Sequence, residues 1–175
     1  MEIKFKRLSD NAVLPSKAHP TDAGLDLTCT SITSEVNECG QFVLVYHTGI
    51  AVEIPVGYVG LIFQRSSVYK KSLTLTDAVG VIDSCYRGEI LLKFKNTSGD
   101  SIPAVYNIGD RIGQLIIMPY PEVEPVFADT LSETDRGENG FGSSDNKDIS
   151  ADTGSHNETA PDQAAEPANG SESDK

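Results

Sequence analysis

The apolar residues of the first 130 positions come in short runs that Gly, Pro, Asn and Asp interrupt. No run sustains the 3.6-residue period of an amphipathic helix, and short apolar runs between turn residues are typical of β-strands. The pattern therefore predicts an all-β domain, built as a sandwich or a barrel. The best strand candidates are the segments 3–8, 42–46, 50–54, 59–63, 90–95, 112–118 and 123–127.

In two of these segments large apolar residues recur at every second position, which predicts one core-facing side for each strand. The residues expected to face the core are Val59, Leu61 and Phe63 in one segment and Ile90, Leu92 and Phe94 in the other. Gly, Pro, Asn and Asp cluster between strands at 55–57, 96–100 and 107–110, and these residue types favour turns.

The composition changes sharply after Ser144. Residues 145–175 contain Ile149 as their only large apolar residue, and eight acidic residues against two lysines give them −6 of the net charge of −12. Such a segment cannot bury enough apolar surface to fold. We therefore divide the chain into a β-rich core over 1–134, a flexible C-terminal motif over 135–144 and a disordered acidic tail over 145–175. The sequence identifies no partner for the tail.

The charge and the cysteines exclude several classes of function. A net charge of −12 with a pI near 4.5 argues against general nucleic-acid binding, which needs clustered Lys and Arg. No apolar stretch reaches membrane-spanning length, and the N-terminus alternates where a signal peptide would be continuously apolar. The three cysteines have neither an even number nor metal-ligand spacing. We expect a cytoplasmic protein with reduced thiols that binds neither nucleic acid nor membranes.

Five polar or Gly-rich segments interrupt the predicted strands, and each one alone is consistent with a turn, a cap or a linker. In their order, spacing and content, however, they resemble the five motifs of the trimeric dUTPase family. The resemblance runs from about Lys4 to Ser144 and is most specific in the strings GVIDSCYRGEI and RGENGFGSS. The five segments are 22–27, 64–67, 80–88, 109–114 and 136–144.

This resemblance implies a distorted jelly-roll or sandwich-like β fold and a homotrimer whose active sites are shared between subunits. The implied reaction is hydrolysis of dUTP to dUMP and pyrophosphate, in which water activated by an Asp attacks the α-phosphorus with the help of Mg2+. Such a reaction keeps uracil out of DNA and supplies dUMP for dTMP synthesis.

The third motif of the family would hold the water and the nucleoside. By the resemblance, Asp83 is the catalytic base that deprotonates the attacking water, and a carboxylate in this role contributes typically ~10²–10⁴-fold. Tyr86 would pack under the deoxyribose and leave no room for a 2′-hydroxyl. The hairpin that begins at Asp77 would read uracil through its backbone, with substrate contacts at Asp77, Val79, Gly80, Val81 and Ile82.

The triphosphate would be held by residues of the other motifs. The resemblance assigns Arg65, Ser66 and Ser67 of the second motif and Gln114 of the fourth motif to the phosphate oxygens. Asp26 of the first motif would act near Mg2+ indirectly, through water, because magnesium bound to a triphosphate keeps several waters.

The fifth motif lies on sequence that composition alone would class as linker. Arg136 would neutralise the γ-phosphate, and Phe141 would stack on uracil for about 1–3 kcal/mol. The remaining substrate contacts of this motif would be Gly142, Ser143 and Ser144. Its glycines suit a segment that closes over bound substrate.

Several positions depart from the usual family pattern, and two rival readings remain open. Gln64, Ser67 and Ser144 replace the residues that are usual at those places, and Asp77 stands where many members have Asn. A dCTP deaminase shares the fold, but Lys93 occupies the place of its glutamate, and a lysine cannot act as a carboxylate. A non-enzymatic regulatory protein that keeps the dUTPase fold is the second rival.

Overall fold

The computed structural model describes residues 1–98 and 104–140, and these form ten β-strands and one short 3-10 helix. The expected all-β fold is therefore confirmed. The strands are β1 (Lys4–Arg7), β2 (Leu25–Thr28), β3 (Ser31–Val36), β4 (Phe42–His47), β5 (Ile50–Glu53), β6 (Tyr58–Gln64), β7 (Leu73–Leu75), β8 (Gly80–Ile82), β9 (Leu91–Asn96) and β10 (Arg111–Pro119), and the helix is Ser66–Lys70.

The strands form two four-stranded antiparallel sheets and one two-stranded pair. The first sheet has the order β2-β10-β6-β8, the second has the order β3-β4-β9-β7, and β1 pairs with β5. Because β7 belongs to the second sheet and β8 to the first, the chain crosses between the sheets at residues 76–79. This crossing lies at the start of the segment predicted to read a base.

Six of the seven predicted strands are confirmed, with ends shifted by at most one residue. The prediction for 123–127 is wrong, since no strand forms there. Pro121 and Pro125 explain the difference, because neither has an N–H to give to a ladder. The strands β2, β3, β7 and β8 were not predicted, because they are short or, like β3, mostly polar.

Two of the predicted turns are confirmed. The N–H of Tyr58 donates to the carbonyl of Pro55 at 3.1 Å, and the N–H of Asp110 donates to the carbonyl of Asn107 at 3.1 Å. Each turn contains a glycine in the left-handed region, Gly57 at φ 84° and Gly109 at φ 90°. The third predicted turn, 96–100, lies partly outside the described residues.

The core is centred on three aromatic rings, Tyr46, Phe94 and Tyr106, whose centroids are 5.5 to 5.9 Å apart. Tyr46 and Phe94 meet edge to face, the arrangement that the ring quadrupoles favour. Ile90, Leu92 and Phe94 are all buried, as the alternation predicted. These residues join the second sheet to the rest of the core.

The predicted core face of β6 is wrong. The buried residues of this strand are Gly60 and Ile62, whereas Val59, Leu61 and Phe63 are only half-buried. A Cβ on Gly60 would lie 2.6 Å from the Cδ1 of Ile54, so the glycine is the residue that allows close packing on the core side. The alternation signal was misleading because both faces of this strand carry apolar side chains.

The contact pattern divides the chain into two units, Met1–Pro125 and Val126–Lys175. The described part of the second unit, 126–140, has no strand, and its side chains are exposed. Its one local structure is a turn in which the N–H of Gly137 donates to the carbonyl of Thr134 at 3.0 Å. Within residues 1–98 and 104–140, no helix has the length and apolar content needed to cross a membrane.

Candidate active site

A buried carboxylate on the first sheet is bound by two arginines. Asp26 lies on β2 opposite Gln114 of β10, and only 7% of its side chain is exposed. The Nε of Arg65 donates to Oδ1 at 3.0 Å, and the Nη1 of Arg111 donates to Oδ2 at 2.9 Å. A carboxylate at this depth requires such partners, because an unpaired buried charge is costly. Asp26 thereby fixes both guanidinium groups at one end of the sheet.

Arg65 connects this ion pair to the start of the 3-10 helix. Its backbone is extended, and its Nη1 lies 3.4 Å from the hydroxyl of Ser67. The first turn of the helix contains no acidic residue and no side-chain cap. Because the first N–H groups of a helix have no partner within it, Ser66 and Ser67 present hydroxyls and amides at a positive end of the chain.

An open cleft of about 330 Å³ adjoins this helix. Three cations and one carboxylate line it, which makes it suitable for an anion. The lining residues are Arg65, Ser67, Lys71, Tyr106, Gly109, Asp110 and Arg111.

Tyr106 forms the buried side of the cleft. The Nζ of Lys71 lies 5.1 Å from the centre of its ring and donates to the carbonyl of Val105 at 2.9 Å. Burial raises the pKa of Tyr106, against a smaller lowering by the Ser67 hydroxyl and Arg65 beside it. Although Ser67 is near, the Tyr106 hydroxyl has no partner in good hydrogen-bond geometry in the described part of the chain. Sequence reasoning missed Lys71 and Tyr106, which lie outside the five motifs.

Gln114 completes this end of the first sheet. It lies on β10 between Asp26 of β2 and Phe63 of β6 in the strand register. A Cβ on Gly24 would lie 3.2 Å from the Cβ of Gln114, so a side chain there would crowd Gln114. The structure thus brings Asp26, Arg65, Ser67 and Gln114 of the sequence prediction together, and adds Arg111. We call this group, with Ser66, the cradle.

The segment predicted to read a base is an edge strand with a tight entry. β8 pairs with β6 on one side, and within the described residues no strand lies on its other side. The turn before it contains Ala78 at φ 56°, a left-handed conformation that is rare for residues other than glycine. An edge strand has N–H and C=O groups without ladder partners. The backbone of 80–82 is therefore able to form hydrogen bonds with a ligand.

A loop with exposed functional side chains follows this strand. Asp83 and Tyr86 are exposed, and the N–H of Tyr86 donates to the carbonyl of Asp83 at 3.0 Å. The hydroxyl of Tyr86 donates to the carbonyl of Glu89 at 3.0 Å, with the ring lying across Gly88. A Cβ at Gly88 would overlap the tyrosine ring, so only glycine permits this position. The loop therefore displays an exposed carboxylate and a fixed aromatic ring. We call residues 83–89 the loop.

The cradle and the loop lie at opposite ends of β6. Ile82 is opposite Gly60 in the register, whereas Ser66 follows the far end of the strand. Six residues at ~3.3 Å each separate these levels by roughly 20 Å. One chain therefore does not gather all the predicted residues into a single site. Arg136 belongs to the second unit, where its Nε donates to the carbonyl of Asn139 at 2.9 Å. Phe141, Gly142, Ser143 and Ser144 lie outside the described residues.

The carboxylate of Asp26 fits a magnesium contact made through water. Among residues 1–98 and 104–140, no group of three or more His, Cys, Asp and Glu side chains could hold a metal ion. Both oxygens of Asp26 already accept a guanidinium N–H. A carboxylate has about four lone-pair positions, so Asp26 still has acceptor capacity for a water bound to a metal.

Comparison with known proteins connects this geometry to one family. The family model described as dUTPase matches residues 10–145. A deoxyuridine 5'-triphosphate nucleotidohydrolase from Gloeobacter violaceus is 37% identical over 145 residues, which cover 82% of this chain and 97% of the relative. The corresponding protein of Rhodococcus erythropolis is 43% identical over 149 residues, with 82% and 86% coverage.

Solved structures give the same result. A variant of the dUTPase from Staphylococcus bacteriophage 80alpha, solved with dUpNHpp, has a TM-score of 0.70 at 31% identity and covers 82% of this chain and 98% of its own. A dUTPase from phage phi11 of S. aureus, described with a structural Mg(II) ion, has a TM-score of 0.62 at 29% identity, with 74% and 98% coverage. The fold, the ordered motifs and these matches together show that the chain belongs to the dUTPase family.

Proposed function

We propose that this enzyme hydrolyses dUTP to dUMP and pyrophosphate, with Asp83 activating the attacking water. The observation that carries the proposal is the succession of three features along 79–86: an edge strand with available backbone groups, an exposed carboxylate and an exposed tyrosine ring. In order, these features supply hydrogen-bonding groups for the uracil, a general base for the attacking water and a surface for the sugar. The relatives named as dUTP nucleotidohydrolases support the same substrate.

The outer edge of β8 selects uracil by hydrogen bonding. Uracil and cytosine present opposite donors and acceptors at their Watson–Crick edge, so fixed N–H and C=O groups that match one base leave the other unpaired. Asp77 is exposed at the entry to this strand, and its carboxylate oxygen lies near Gly80. The backbone carries the readout, because an ionised carboxylate would repel a uracil carbonyl.

Tyr86 and Asp83 act on the sugar and the water. The ring of Tyr86 is held at both ends, by its backbone N–H and by its hydroxyl, so it forms a firm surface that a ribose 2′-hydroxyl would strike. Asp83 accepts a proton from water as that water attacks the α-phosphorus. Water is a poor nucleophile at neutral pH, and a positioned carboxylate accelerates such a step typically ~10²–10⁴-fold.

The cradle binds the triphosphate. Arg65 and Arg111 bring positive charge that Asp26 holds in place, and Ser66, Ser67 and Gln114 add hydrogen-bond donors. Bound with the substrate, Mg2+ would stabilise the negative charge that develops on the pyrophosphate leaving group. Asp26 would contact this ion through one of its waters, consistent with the two guanidinium bonds that it already accepts.

A complete site forms in a homotrimer. The separation of roughly 20 Å between the cradle and the loop, at ~3.3 Å per residue along β6, supports a site to which different subunits contribute them. The outer face of β6 and β10 supports assembly, because it carries half-buried and exposed apolar side chains that a monomer would leave in water. These are Val59, Leu61, Phe63, Ile116 and Met118.

The fifth motif would close over the bound substrate. Arg136 is exposed in the second unit, where its Nε donates to the carbonyl of Asn139. It would bind the γ-phosphate, with Phe141 over the uracil and Gly142, Ser143 and Ser144 beside the phosphates. Closure of this kind excludes bulk water from the reaction. The enzyme would act in the cytoplasm, where it would remove dUTP before DNA synthesis and supply dUMP.

Pyrophosphate release from dUTP, dTTP, dCTP and UTP tests the proposal on the full chain. We expect turnover of dUTP in strong preference to the other three, and a trimer by light scattering of the same preparation. Equal turnover of dCTP would refute backbone readout of uracil, and ammonia release from dCTP would identify a deaminase. An active monomer would refute the shared site.

A further inference from the structure

The loop that carries Asp83 and Tyr86 is not held by any sheet. Residues 83–90 form no strand pairing, so individual hydrogen bonds must fix this backbone. Several of these bonds are internal to the loop. The Nη1 of Arg87 donates to the carbonyls of Ser84 at 2.7 Å and Tyr86 at 2.8 Å, and the Tyr86 hydroxyl donates to the carbonyl of Glu89. Internal bonds give the loop a shape, but they do not fix its place on the protein.

The side chain of Glu89 ties the loop to the second sheet. Its Oε1 accepts the N–H of Gly49 at 2.7 Å, and its Oε2 lies 3.1 Å from the Nδ1 of His47. The other ring nitrogen of His47 lies 3.0 Å from the hydroxyl of Thr33 on β3. Both members of the pair are about three-quarters buried, with 25% of the His47 and 26% of the Glu89 side chain exposed. A continuous series of hydrogen bonds therefore runs from Tyr86 through Glu89 and His47 to Thr33.

Gly49 gives this anchor a fixed position. It has φ 65° in the turn between β4 and β5, and a Cβ there would overlap the hydroxyl of Ser9. The neighbouring residue Ile90 is bonded on both sides, by its N–H to the carbonyl of Ile50 at 2.9 Å and by its carbonyl to the hydroxyl of Thr48 at 2.7 Å. The backbone of Glu89 is thus next to a firmly bonded residue of the core, and its side chain bonds to the turn between β4 and β5.

We infer that Glu89 and His47 form a positioning pair that sets where the Tyr86 ring and Asp83 stand against the substrate. The Tyr86 hydroxyl is bonded to the backbone of Glu89, so a shift of Glu89 moves the ring that excludes the 2′-hydroxyl. The pair acts through the loop and does not touch the substrate. This inference rests on the proposed role of Tyr86 in selecting deoxyribose.

Glu89→Ala and His47→Ala test the pair in the full-length assembled enzyme. A misplacement of about 1 Å can cost ~10²-fold in rate, so we expect the dUTP-over-UTP ratio of kcat/KM to fall by about 10- to 100-fold in Glu89→Ala. His47→Ala keeps the bond to Gly49 and should lose less. Glu89→Gln should keep most of the ratio, because its amide oxygen can accept from Gly49 and its amide nitrogen can donate to Nδ1 of the His47 tautomer whose proton lies on Nε2.

Glu35→Ala is the matched control. It breaks the ion pair between Glu35 and Lys93, which is 2.7 Å long on the same sheet but makes no bond to the loop. Amide hydrogen exchange over residues 83–88 provides a reading without substrate. It should be faster in Glu89→Ala and His47→Ala and unchanged in Glu35→Ala.

The dUTP-over-UTP ratio and the hydrogen exchange distinguish a failure of the proposed Tyr86 role from a failure of the positioning pair. If the wild-type enzyme does not prefer dUTP over UTP, the proposed role of Tyr86 is wrong, and hydrogen exchange alone then decides whether the pair positions the loop. Unchanged exchange at 83–88 in folded Glu89→Ala and His47→Ala would overturn the inference. If Glu89→Ala does not fold, His47→Ala carries both measurements.

Discussion

The cradle and the loop represent two ways of holding functional side chains. In the cradle, a nearly buried carboxylate on β2 receives two guanidinium bonds, one from Arg111 on β10 and one from Arg65 directly after β6. In the loop, Asp83 and Tyr86 are exposed, and side-chain bonds to backbone carbonyls take the place of a ladder. Change in the cradle must therefore alter the fold along with the site, whereas change in the loop should alter the chemistry alone.

In the proposed function the two regions bind different groups, which explains the difference. Phosphate groups are bound by charge, and cations held at short distances by a buried partner stay oriented without the ligand. A nucleophilic water and a sugar require access and exact placement, which a short exposed loop provides at little cost in core packing. The residues 134–140 of the second unit resemble the loop in this respect, since they too are exposed and lie outside the sheets.

Removing the C-terminal residues should give the largest effect on turnover. A chain that ends at residue 135 loses Arg136 and the rest of the fifth motif, so we expect no measurable hydrolysis of dUTP. Its melting temperature should be unchanged, because exposed residues outside the sheets make few core contacts. The control is a chain that ends at 145. It should keep full activity, since the charge of the deleted residues 146–175 is screened beyond about 8–10 Å and should affect the substrate only weakly. Full activity in the shorter chain would show that 136–144 is only a linker.

Asp83→Asn should lower kcat by about 10²–10⁴-fold and leave the melting temperature unchanged. The amide has nearly the shape of the carboxylate but cannot accept the proton of the attacking water. The carboxylate is exposed and forms no ion pair within the described residues, so the fold loses nothing with its charge. Steady-state kinetics measures the loss of kcat, and calorimetry with dUMP measures whether nucleotide binding is kept. Wild-type turnover in this variant would rule out Asp83 as the base.

Asp26→Asn should destabilise the protein as well as weaken substrate binding. One guanidinium loses its carboxylate acceptor, and breaking a buried pair costs about 3 kcal/mol, which corresponds to a fall in melting temperature of about 6–12 °C for a chain of this size. KM should rise, because Arg65 is no longer held in place. Glu53→Gln is the control, since its pair with Lys4 is 3.2 Å long but exposed and worth at most about 1 kcal/mol. Both should be melted at one protein concentration.

An unchanged melting temperature in Asp26→Asn would break the comparison between the two regions. It would mean that the cradle, like the loop, can be changed without cost to the fold. The double ion pair would then serve only to orient Arg65 and Arg111.

The sequence was most informative where apolar runs or family motifs are continuous. Strands β9 and β10 were predicted within one residue at each end, and the motifs selected Asp26, Arg65 and Gln114, which the fold brings together. The face of β6 was wrong because Gly60 carries no side chain to mark the core side. The strand at 123–127 was wrong because two prolines outweigh its apolar residues.

Long-range polar contacts had no local signal. His47 and Glu89 are 42 residues apart, and Arg111 is 85 residues from the carboxylate that it bonds. The charge of each residue could be read from the sequence, but its partner depended on the register of strands that pair across the fold. The 20 Å separation between the cradle and the loop, at ~3.3 Å per residue, likewise became visible only through that register.

The last expected effect concerns Cys29, a thiol that neither region uses. Burial, and next the nearby carboxylate of Asp110, raise the pKa of Cys29 from 9.0 to about 11, against a smaller lowering by a backbone hydrogen bond with Ser31. Cys39 and Cys85 are exposed, and Cys85 lies in the loop. At pH 8 only about one Cys29 thiol in a thousand is ionised, and the thiolate is the reactive form. Iodoacetamide should therefore label Cys39 and Cys85 in the native enzyme, and Cys29 only after denaturation, as mass spectrometry would show.

The same pKa gives a pH dependence with a definite sign. The folded-state pKa of Cys29 lies above its unfolded value, so its contribution to stability is complete below pH 9 and is lost as the pH rises towards 11. A shift of this size corresponds to about 3 kcal/mol over that window. Between pH 9 and 10, Cys29 should account for most of the loss, because the pKa values of Tyr46 and Tyr106 are raised above 10.0, also mainly by burial. Chemical unfolding of Cys29→Ala at both pH values measures this, and an equal loss of stability in the variant and the wild type would refute it.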